Sequence, residues 1–175
     1  VFKNGTVQSS IINKEDLIYL DKKYTPKLLK ILEDINPKKI RFYDFADFHL
    51  NVSGKNYKHH IHEDDYRKLL SVVIYFLPEK NIGTYLYTSK NGNDEMRIKW
   101  VTNKAFVFSR LENETWHNYR ADGLNKRYTI VYNIQINDRN NKNRGRILKA
   151  ENKFIYHYLI KNIYLFIIKL FLNLL

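Results

Sequence analysis

Residues 62–78 read HEDDYRKLLSVVIYFLP, and this stretch predicts a buried strand that follows a cluster of polar residues. Residues 69–77 are nearly continuous in apolar side chains and rich in β-branched ones, which is typical of a central strand covered on both faces. Pro78 closes the strand. The triplet His62-Glu63-Asp64 therefore precedes a strand in the middle of the fold.

Further strands are predicted on both sides of this stretch. Residues 40–52 alternate between apolar and polar side chains, with Asp44 as the exception, which indicates a half-buried strand. The turn residues 53–56 and a return strand over residues 57–62 would form a hairpin with it. Shorter strands, separated by Gly, Asn and Asp turns, are predicted over residues 84–88, 96–101, 105–109 and 127–136. This rhythm predicts an antiparallel sandwich or barrel.

Helices are predicted near the two ends of the chain. Thr25-Pro26 is typical of an N-cap with proline in the first turn, and an apolar stripe then ends before Pro37, which predicts a short helix. We divide the chain into an N-terminal helical segment that packs on the barrel, the barrel core, a basic polar linker and an apolar or amphipathic C-terminal helix. Their bounds are residues 1–38, 39–137, 138–153 and 154–175.

Composition narrows the class of protein. The 175 residues are 44% apolar, enough for one sizeable core. The absence of cysteine excludes disulfides, thiolate metal sites and cysteine nucleophiles, and leaves His, Asp and Glu as the strong metal ligands. The net charge is +12, but many basic residues alternate with Asn in residues 139–153, as in a solvated linker, so nucleic-acid binding is not favoured. No glycine-rich phosphate loop or nucleophile elbow is present.

His62 and Asp64 could bind one metal ion together with His117, which a later strand would deliver. Residues two apart in a strand project from the same side, so Glu63 would face away, and Glu63 and Asp65 are expected to be solvated. Two imidazoles and one carboxylate on one face of a metal leave open positions for chemistry, as in non-haem Fe(II) oxygenases.

Two alternatives stay open. His60 shares the strand face of His62, and such a pair would suit a cupin-like metalloenzyme that does not use 2-oxoglutarate. The cupin motif, however, places a glutamate four or five residues after its second His, where this chain has Tyr66 and Arg67. The other alternative is a non-catalytic basic barrel that binds a membrane or nucleic acid.

Five features in this order resemble the 2-oxoglutarate- and Fe(II)-dependent oxygenases of the prolyl 4-hydroxylase-like type. They are His62-x-Asp64, the strand Leu70 to Tyr75, Gly83-Thr84, Trp116-His117 and Arg127-Tyr128-Thr129. The resemblance implies a mainly β fold, a double-stranded β-helix of the jelly-roll or cupin-like kind. It also implies Fe(II), 2-oxoglutarate as co-substrate, ascorbate as a candidate reductant, and hydroxylation of a substrate with release of succinate and CO2.

The same resemblance implies the roles of the site residues. His62, Asp64 and His117 are expected to bind the metal, and no catalytic residue is expected beyond them. The presence of Asp64 favours hydroxylation, because the related halogenases lack this carboxylate.

Arg127 is expected to anchor the co-substrate. A guanidinium presents a fixed fork to a carboxylate, and Arg127 matches the arginine that pairs with the distal carboxylate of 2-oxoglutarate in the resembled group. Thr129 matches the hydroxyl residue two positions later. Tyr75 is the first choice for a phenolic hydrogen bond at the same place, with Tyr85 and Tyr87 as alternatives.

The C-terminal segment 154–175 is largely apolar but contains Lys161 and Lys169, which penalise insertion into a bilayer. An amphipathic helix fits the pattern better, and it would contact a membrane surface, pack on the barrel or bury a homodimer interface. We expect a cytoplasmic protein, with membrane contact through this segment if any. The primary substrate, a small molecule or a protein side chain, does not follow from the sequence.

Overall fold

Nine strands and two α-helices make up the described part of the chain. The computed structural model describes residues 14–151 and the backbone of residues 2–3 and 6–7; the predicted C-terminal helix lies outside these ranges. In chain order the elements are β1 (Phe2–Lys3), β2 (Thr6–Val7), α1 (Lys14–Ile35), a 3₁₀ helix (Pro37–Phe42), β3 (Phe45–Ser53), β4 (Lys68–Leu77), β5 (Thr84–Tyr87), β6 (Met96–Arg97), β7 (Ala105–Phe108), β8 (Trp116–Tyr119), β9 (Arg127–Gln135) and α2 (Arg144–Lys149).

Two antiparallel sheets carry the fold. The larger has the strand order β3-β9-β4-β7 and the smaller β6-β5-β8, while β1 and β2 pair with each other. The predicted mainly β, antiparallel class is therefore confirmed. β4 lies between two partners, and Leu69 and Leu70 are fully buried, as its apolar sequence predicts.

The predicted hairpin over residues 40–62 is wrong. Residues 37–42 form the 3₁₀ helix, which begins at Pro37 and buries Phe42, so β3 starts only at Phe45. β3 pairs along its whole length with β9, and residues 57–62 instead meet β8 and its end through isolated bridges. Residues 53–56 do turn the chain, but turn chemistry carries no information about a partner that arrives eighty residues later.

α1 begins at Lys14, so the predicted N-cap at Thr25 is also wrong, and Pro26 lies inside the helix. The Thr25 hydroxyl donates to Asp21 Oδ1 one turn earlier, at 2.5 Å, instead of capping a helix end. A proline normally breaks a helix interior. Here α1 is held by burial of its apolar stripe against the outer face of the larger sheet, through Leu28, Ile31 and Leu32.

The cores lie on both sides of the larger sheet. One is formed by α1 and the outward side chains of β4 and β9. The other lies between the two sheets around Tyr75, Trp100 and Phe106. The sheet therefore presents one face to the helix, while its other face lines the space described below.

Residues 138–151 differ from the predicted solvated linker. The Asp138 carboxylate accepts hydrogen bonds from the backbone N–H groups of Lys142 and Asn143, and α2 buries Ile147 completely. The basic side chains occupy the exposed positions, which is why the composition resembled that of a linker. No helix within the described ranges is both long and apolar enough to cross a membrane.

Candidate metal and co-substrate site

A two-residue backbone bridge brings His62 and His117 side by side. The His62 N–H donates to His117 O at 3.0 Å, and the His117 N–H donates to His62 O at 2.9 Å, which leaves the ring centroids 4.4 Å apart. Asp64 follows two residues after His62. One ligand atom from each of the three side chains lies within 4.8 Å of the others. The structure thus brings the three predicted metal ligands together.

Hydrogen bonds to backbone carbonyls orient both imidazoles. Nδ1 of His62 lies 3.0 Å from His60 O, and Nδ1 of His117 lies 2.9 Å from Thr115 O. Because a carbonyl accepts only, each Nδ1 carries the proton and each Nε2 keeps its lone pair. Burial and the adjacent charge of His117 lower the pKa of His62 to about 4, and burial also lowers the pKa of His117. Both rings are therefore neutral at neutral pH.

The Asp64 carboxylate is buried and held on both oxygens. Oδ1 accepts from Lys68 Nζ at 2.7 Å, and Oδ2 accepts from the Ser71 hydroxyl at 2.6 Å. Burial acts to raise the pKa of Asp64, but the positive charge of Lys68 and the hydrogen bonds from Lys68 and Ser71 oppose it, and the pKa is held below its usual value. The backbone is held as well, because Arg110 Nε donates to Asp64 O at 3.2 Å.

A second histidine cluster shares one member with the first. Ligand atoms of His59, His60 and His62 also lie within 4.8 Å of one another. His60 is exposed, whereas Asp64 and His62 are buried and half-buried, so the cluster with the carboxylate is the better shielded of the two.

Arg127 is a buried guanidinium without an acidic partner in the described part of the chain. It is 2% exposed, and its Nε and Nη2 atoms have no hydrogen-bond partner there. Its Cζ lies 4.3 Å from the ring centroid of Tyr119 and 5.3 Å from that of Trp100. Burial lowers its pKa, yet a guanidinium stays charged in proteins. A buried positive charge with unpaired N–H groups favours the binding of an anion beside it.

One cavity of about 600 Å³ joins Arg127 to the three candidate ligands. Thr129 lies on the same strand face as Arg127, is 3% exposed and lines the cavity. Tyr119 lines it as well. The candidate metal site and the candidate anion site are thus two ends of one continuous space.

Tyr75 lies near Arg127, as expected, with its ring centroid 5.8 Å from the guanidinium Cζ, but its hydroxyl has another partner. The hydroxyl donates to Thr84 Oγ1 at 2.9 Å and accepts the Thr84 N–H at 3.1 Å, so it is bonded to the other sheet, and Tyr75 is not among the residues that line the cavity. Tyr87 bonds to Glu95 and Asn118, and Tyr85 packs under Arg120, so neither alternative lines the cavity either. The tyrosine beside Arg127 in the cavity is Tyr119.

The acidic neighbours of Asp64 behave differently from each other. Asp65 is exposed and pairs with Arg67, as a solvated residue would. The Glu63 side chain is 11% exposed and lies 3.5 Å from Arg110, so the expectation that it is solvated is wrong. Burial raises the pKa of Glu63, although Arg110 opposes this.

Sequence reasoning missed several residues that line the cavity or hold its ligands. Tyr119 and Asn133 could have been found, because each lies an even number of residues from a predicted site residue on the same strand. Lys68 and Ser71 lie on β4, where the sequence indicated only a buried strand. Arg110 carries no pattern that sets it apart from other cations.

The residues present fit Fe(II) and a dicarboxylate. Neutral imidazole nitrogens and a carboxylate oxygen form the donor set that suits iron, with one face left open. A planar guanidinium with unpartnered N–H groups, next to a threonine hydroxyl, suits a carboxylate. Residues of both kinds line the same cavity.

No protein-family model matches the chain, and no curated protein matches it either. Among solved structures, the chain is similar to a prolyl-4-hydroxylase of Pseudomonas putida, with a TM-score of 0.50, 17% identity, and coverage of 72% of this chain and 68% of that one. Two structures of a viral collagen prolyl hydroxylase from Paramecium Bursaria Chlorella virus-1 also match. The 2OG complex has a TM-score of 0.43 at 13% identity, with coverage of 64% and 71%, and the truncated form 0.39 at 15%, with coverage of 65% and 68%.

TM-scores below 0.5 do not establish a shared fold, so the assignment of the fold rests on the similarity to the bacterial structure. Its 17% identity identifies a common fold and leaves the reaction open. The chain has the jelly-roll fold of a prolyl-4-hydroxylase, which confirms the fold class that the sequence predicted.

Proposed function

We propose that this protein is an Fe(II)- and 2-oxoglutarate-dependent dioxygenase that hydroxylates its substrate and releases succinate and CO2. The observation that carries the proposal is the shared cavity: three metal-ligand side chains converge in it, and a buried, unpaired guanidinium lines it too. The prolyl-4-hydroxylase fold supports the same reading.

Three side chains would hold the metal. His62 and His117 would each offer an Nε2 lone pair, and Asp64 would offer a carboxylate oxygen. Hydrogen bonds from Ser71 and Lys68 orient that carboxylate. Bound iron would couple the activation of O2 to the oxidative decarboxylation of 2-oxoglutarate. The protein would keep both rings neutral, with Nε2 unprotonated, and the carboxylate ionised, because protonation of either Nε2 or of the carboxylate would remove a ligand.

Arg127 and Thr129 would hold the distal carboxylate of 2-oxoglutarate. The guanidinium presents parallel N–H groups, and the Thr129 hydroxyl lies on the same strand face. The Tyr119 ring lies beside the Arg127 guanidinium, 4.3 Å from Cζ to the ring centroid, and lines this end of the cavity. Binding a carboxylate here would also relieve the cost of an unpaired buried charge.

The test is reconstitution of the full chain with Fe(II) under anaerobic conditions. Addition of 2-oxoglutarate should produce a metal-to-ligand charge-transfer absorption band, and admission of O2 should then yield succinate. Folded, iron-loaded protein that shows neither the band nor succinate would overturn the proposal.

Substitution of Arg127 should weaken the binding of 2-oxoglutarate without affecting the binding of iron. In Arg127→Lys, which keeps the charge but loses the fork, the affinity for 2-oxoglutarate should fall by roughly tenfold or more, while iron is retained. Arg97→Lys, at an exposed position on β6, is the matched control and should bind 2-oxoglutarate like the wild type. Equal loss of iron and 2-oxoglutarate in Arg127→Lys would contradict the assignment.

A further inference from the structure

The cavity wall also includes Asn133, which is used by neither the metal site nor the 2-oxoglutarate site. Arg127 and Asn133 lie on the same face of β9, six residues apart, which corresponds to about 20 Å at the rise of a strand. Asn133 pairs in register with Ser71, the residue that holds Asp64. Asn133 therefore lines the cavity beside the ligand carboxylate, far along the strand from Arg127.

The orientation of the Asn133 amide is set by its neighbours on β3. Asn133 Nδ2 donates to Asp47 Oδ1 at 2.9 Å, and the same carboxylate accepts from Gln135 and lies 2.9 Å from His49 Nε2. Burial acts to raise the pKa of Asp47, but the hydrogen bonds of His49 and Asn133 hold it below its usual value. The carboxylate stays an acceptor, so the amide nitrogen must face it and the amide oxygen must face elsewhere.

That oxygen is a buried acceptor without a donor. Asn133 is 2% exposed, and its Oδ1 has no hydrogen-bond partner within the described residues. Unpaired buried acceptors are rare in folded proteins, because the lost hydrogen bond to water is not replaced. Lys68 and Ser71, on the neighbouring strand β4, line the same cavity, so this part of the wall is polar.

We propose that Asn133 selects the primary substrate, and that this substrate is a polar molecule or group that presents a hydroxyl or amide donor to Asn133 Oδ1. The inference rests on the proposed function, since it names the substrate class of the same site. A site built to accept a hydrogen bond rejects analogues that lack the donor, because the acceptor would then stay buried and unpaired. Asn133 thereby excludes purely apolar substrates.

The test compares three sets of small probes of similar size: methyl glycosides as hydroxyl donors, N-acetyl amino acid amides as amide donors, and dialkyl ethers, which lack a donor. Binding to the metal-free protein is measured by ligand-observed NMR, and stimulation of succinate formation is measured with Fe(II) and 2-oxoglutarate. Probes from one or both donor sets should bind and stimulate, and the ethers should do neither. Which donor set responds distinguishes a sugar-like from a peptide-like source.

Substitution of Asn133 provides the second arm. In Asn133→Leu the dissociation constant of the responding probe should rise about tenfold to a hundredfold. Asn137→Leu, at an exposed position, is the matched control. If the Leu variant does not fold, Asn133→Thr removes the amide oxygen but keeps a hydroxyl that can donate to Asp47, and should weaken binding in the same direction.

The outcomes separate this inference from the proposed function. Absence of succinate under all conditions would overturn the dioxygenase proposal. Binding of the ethers alone, binding of no donor probe, or unchanged donor binding in the Asn133 variants would overturn the role of Asn133, whether or not succinate is formed.

Discussion

Asp64 and Asp65 are adjacent carboxylates in very different surroundings. The Asp64 side chain is 7% exposed and bonds to Lys68 and Ser71, whereas that of Asp65 is 46% exposed and pairs with Arg67. One backbone step thus separates a buried metal-ligand candidate from a surface ion pair, which is worth little.

Asp64→Asn should abolish iron retention, because a neutral amide replaces the anionic ligand and cannot accept both existing hydrogen bonds through two oxygens. Iron content after gel filtration measures the effect. Asp65→Asn is the matched control and should retain iron. Retention of iron in Asp64→Asn together with its loss in His60→Ala would favour the cupin-like alternative, which would use the His59, His60 and His62 cluster.

Lys39 is a fully buried ammonium that lies 3.3 Å from Glu151, and burial lowers its pKa to about 8 despite that carboxylate. In the unfolded chain the amine holds its proton up to about pH 10.5, so unfolding between these two pH values takes up a proton. The contribution of Lys39 to stability is therefore lowest below pH 8 and rises up to about pH 10.5.

The free energy of unfolding of the wild type minus that of Lys39→Met should accordingly increase between pH 8 and 10.5. Urea denaturation at a series of pH values measures this difference, and titrations common to both proteins cancel in it. A difference that is flat or that decreases over this window would contradict the prediction.

Among the elements of the fold, one buried ion network connects three parts of the chain to the loop that carries His62 and Asp64. Arg110 Nη1 donates to Glu151 Oε1 at 2.8 Å, Nη2 lies 3.5 Å from Glu63, and Nε donates to Asp64 O. Lys39 completes the network from the 3₁₀ helix. The segment that follows α2 thereby braces the loop that carries His62 and Asp64.

Glu151→Gln should destabilise the protein by about 3–5 kcal/mol, because it leaves the cations Arg110 and Lys39 buried without their shared counter-charge. Chemical denaturation measures the change. Glu33→Gln, which breaks an exposed pair with Lys30 on α1, should change stability by less than about 0.5 kcal/mol. Similar effects in both variants would argue against the network.

The approach of β5 to the segment after β6 requires a glycine at position 83. A Cβ built on Gly83 would lie 1.7 Å from the Ile98 carbonyl oxygen, so the backbone would have to move. Gly83→Ala should lower the stability by about 1–3 kcal/mol. Gly54→Ala is the control, since nothing lies within 4 Å of its added Cβ, and thermal melting compares the two.

At the scale of the whole molecule, ligands that bind only the folded site should stabilise the entire chain. Metal and co-substrate each at a hundred times their dissociation constant should add about 2.7 kcal/mol per ligand. Mn(II) followed by 2-oxoglutarate should therefore raise the Tm in two steps, and Arg127→Lys should reduce the second step alone. A rise in Tm with Mn(II) alone and no further rise with 2-oxoglutarate would contradict the role of Arg127 in binding the co-substrate.

Much of this fold was predictable from local pattern. β4 followed from a continuous apolar run, and the proximity of His62, Asp64 and His117 was expected from strand parity and from the resemblance to the oxygenases. The roles expected of Arg127 and Thr129 came from that resemblance, and both residues line the cavity. The role of Tyr75 did not, because its hydroxyl is taken by Thr84 from the other sheet. The hairpin prediction failed for the same reason, since β3 takes as its partner β9, a distant strand.

The residue types that can bind a metal and a carboxylate, and the strand face on which each lies, follow from the amino-acid sequence, because they depend on side-chain chemistry and two-residue alternation. Which side chains share the cavity is set by the folding of distant segments onto one another. Tyr119 lines it and Tyr75 does not, Asn133 lines it and has a buried amide oxygen without a donor, and Glu151 pairs with Arg110, which bonds to the backbone of Asp64. Contacts of this kind join strands and loops distant in sequence, and local periodicity carries no record of them.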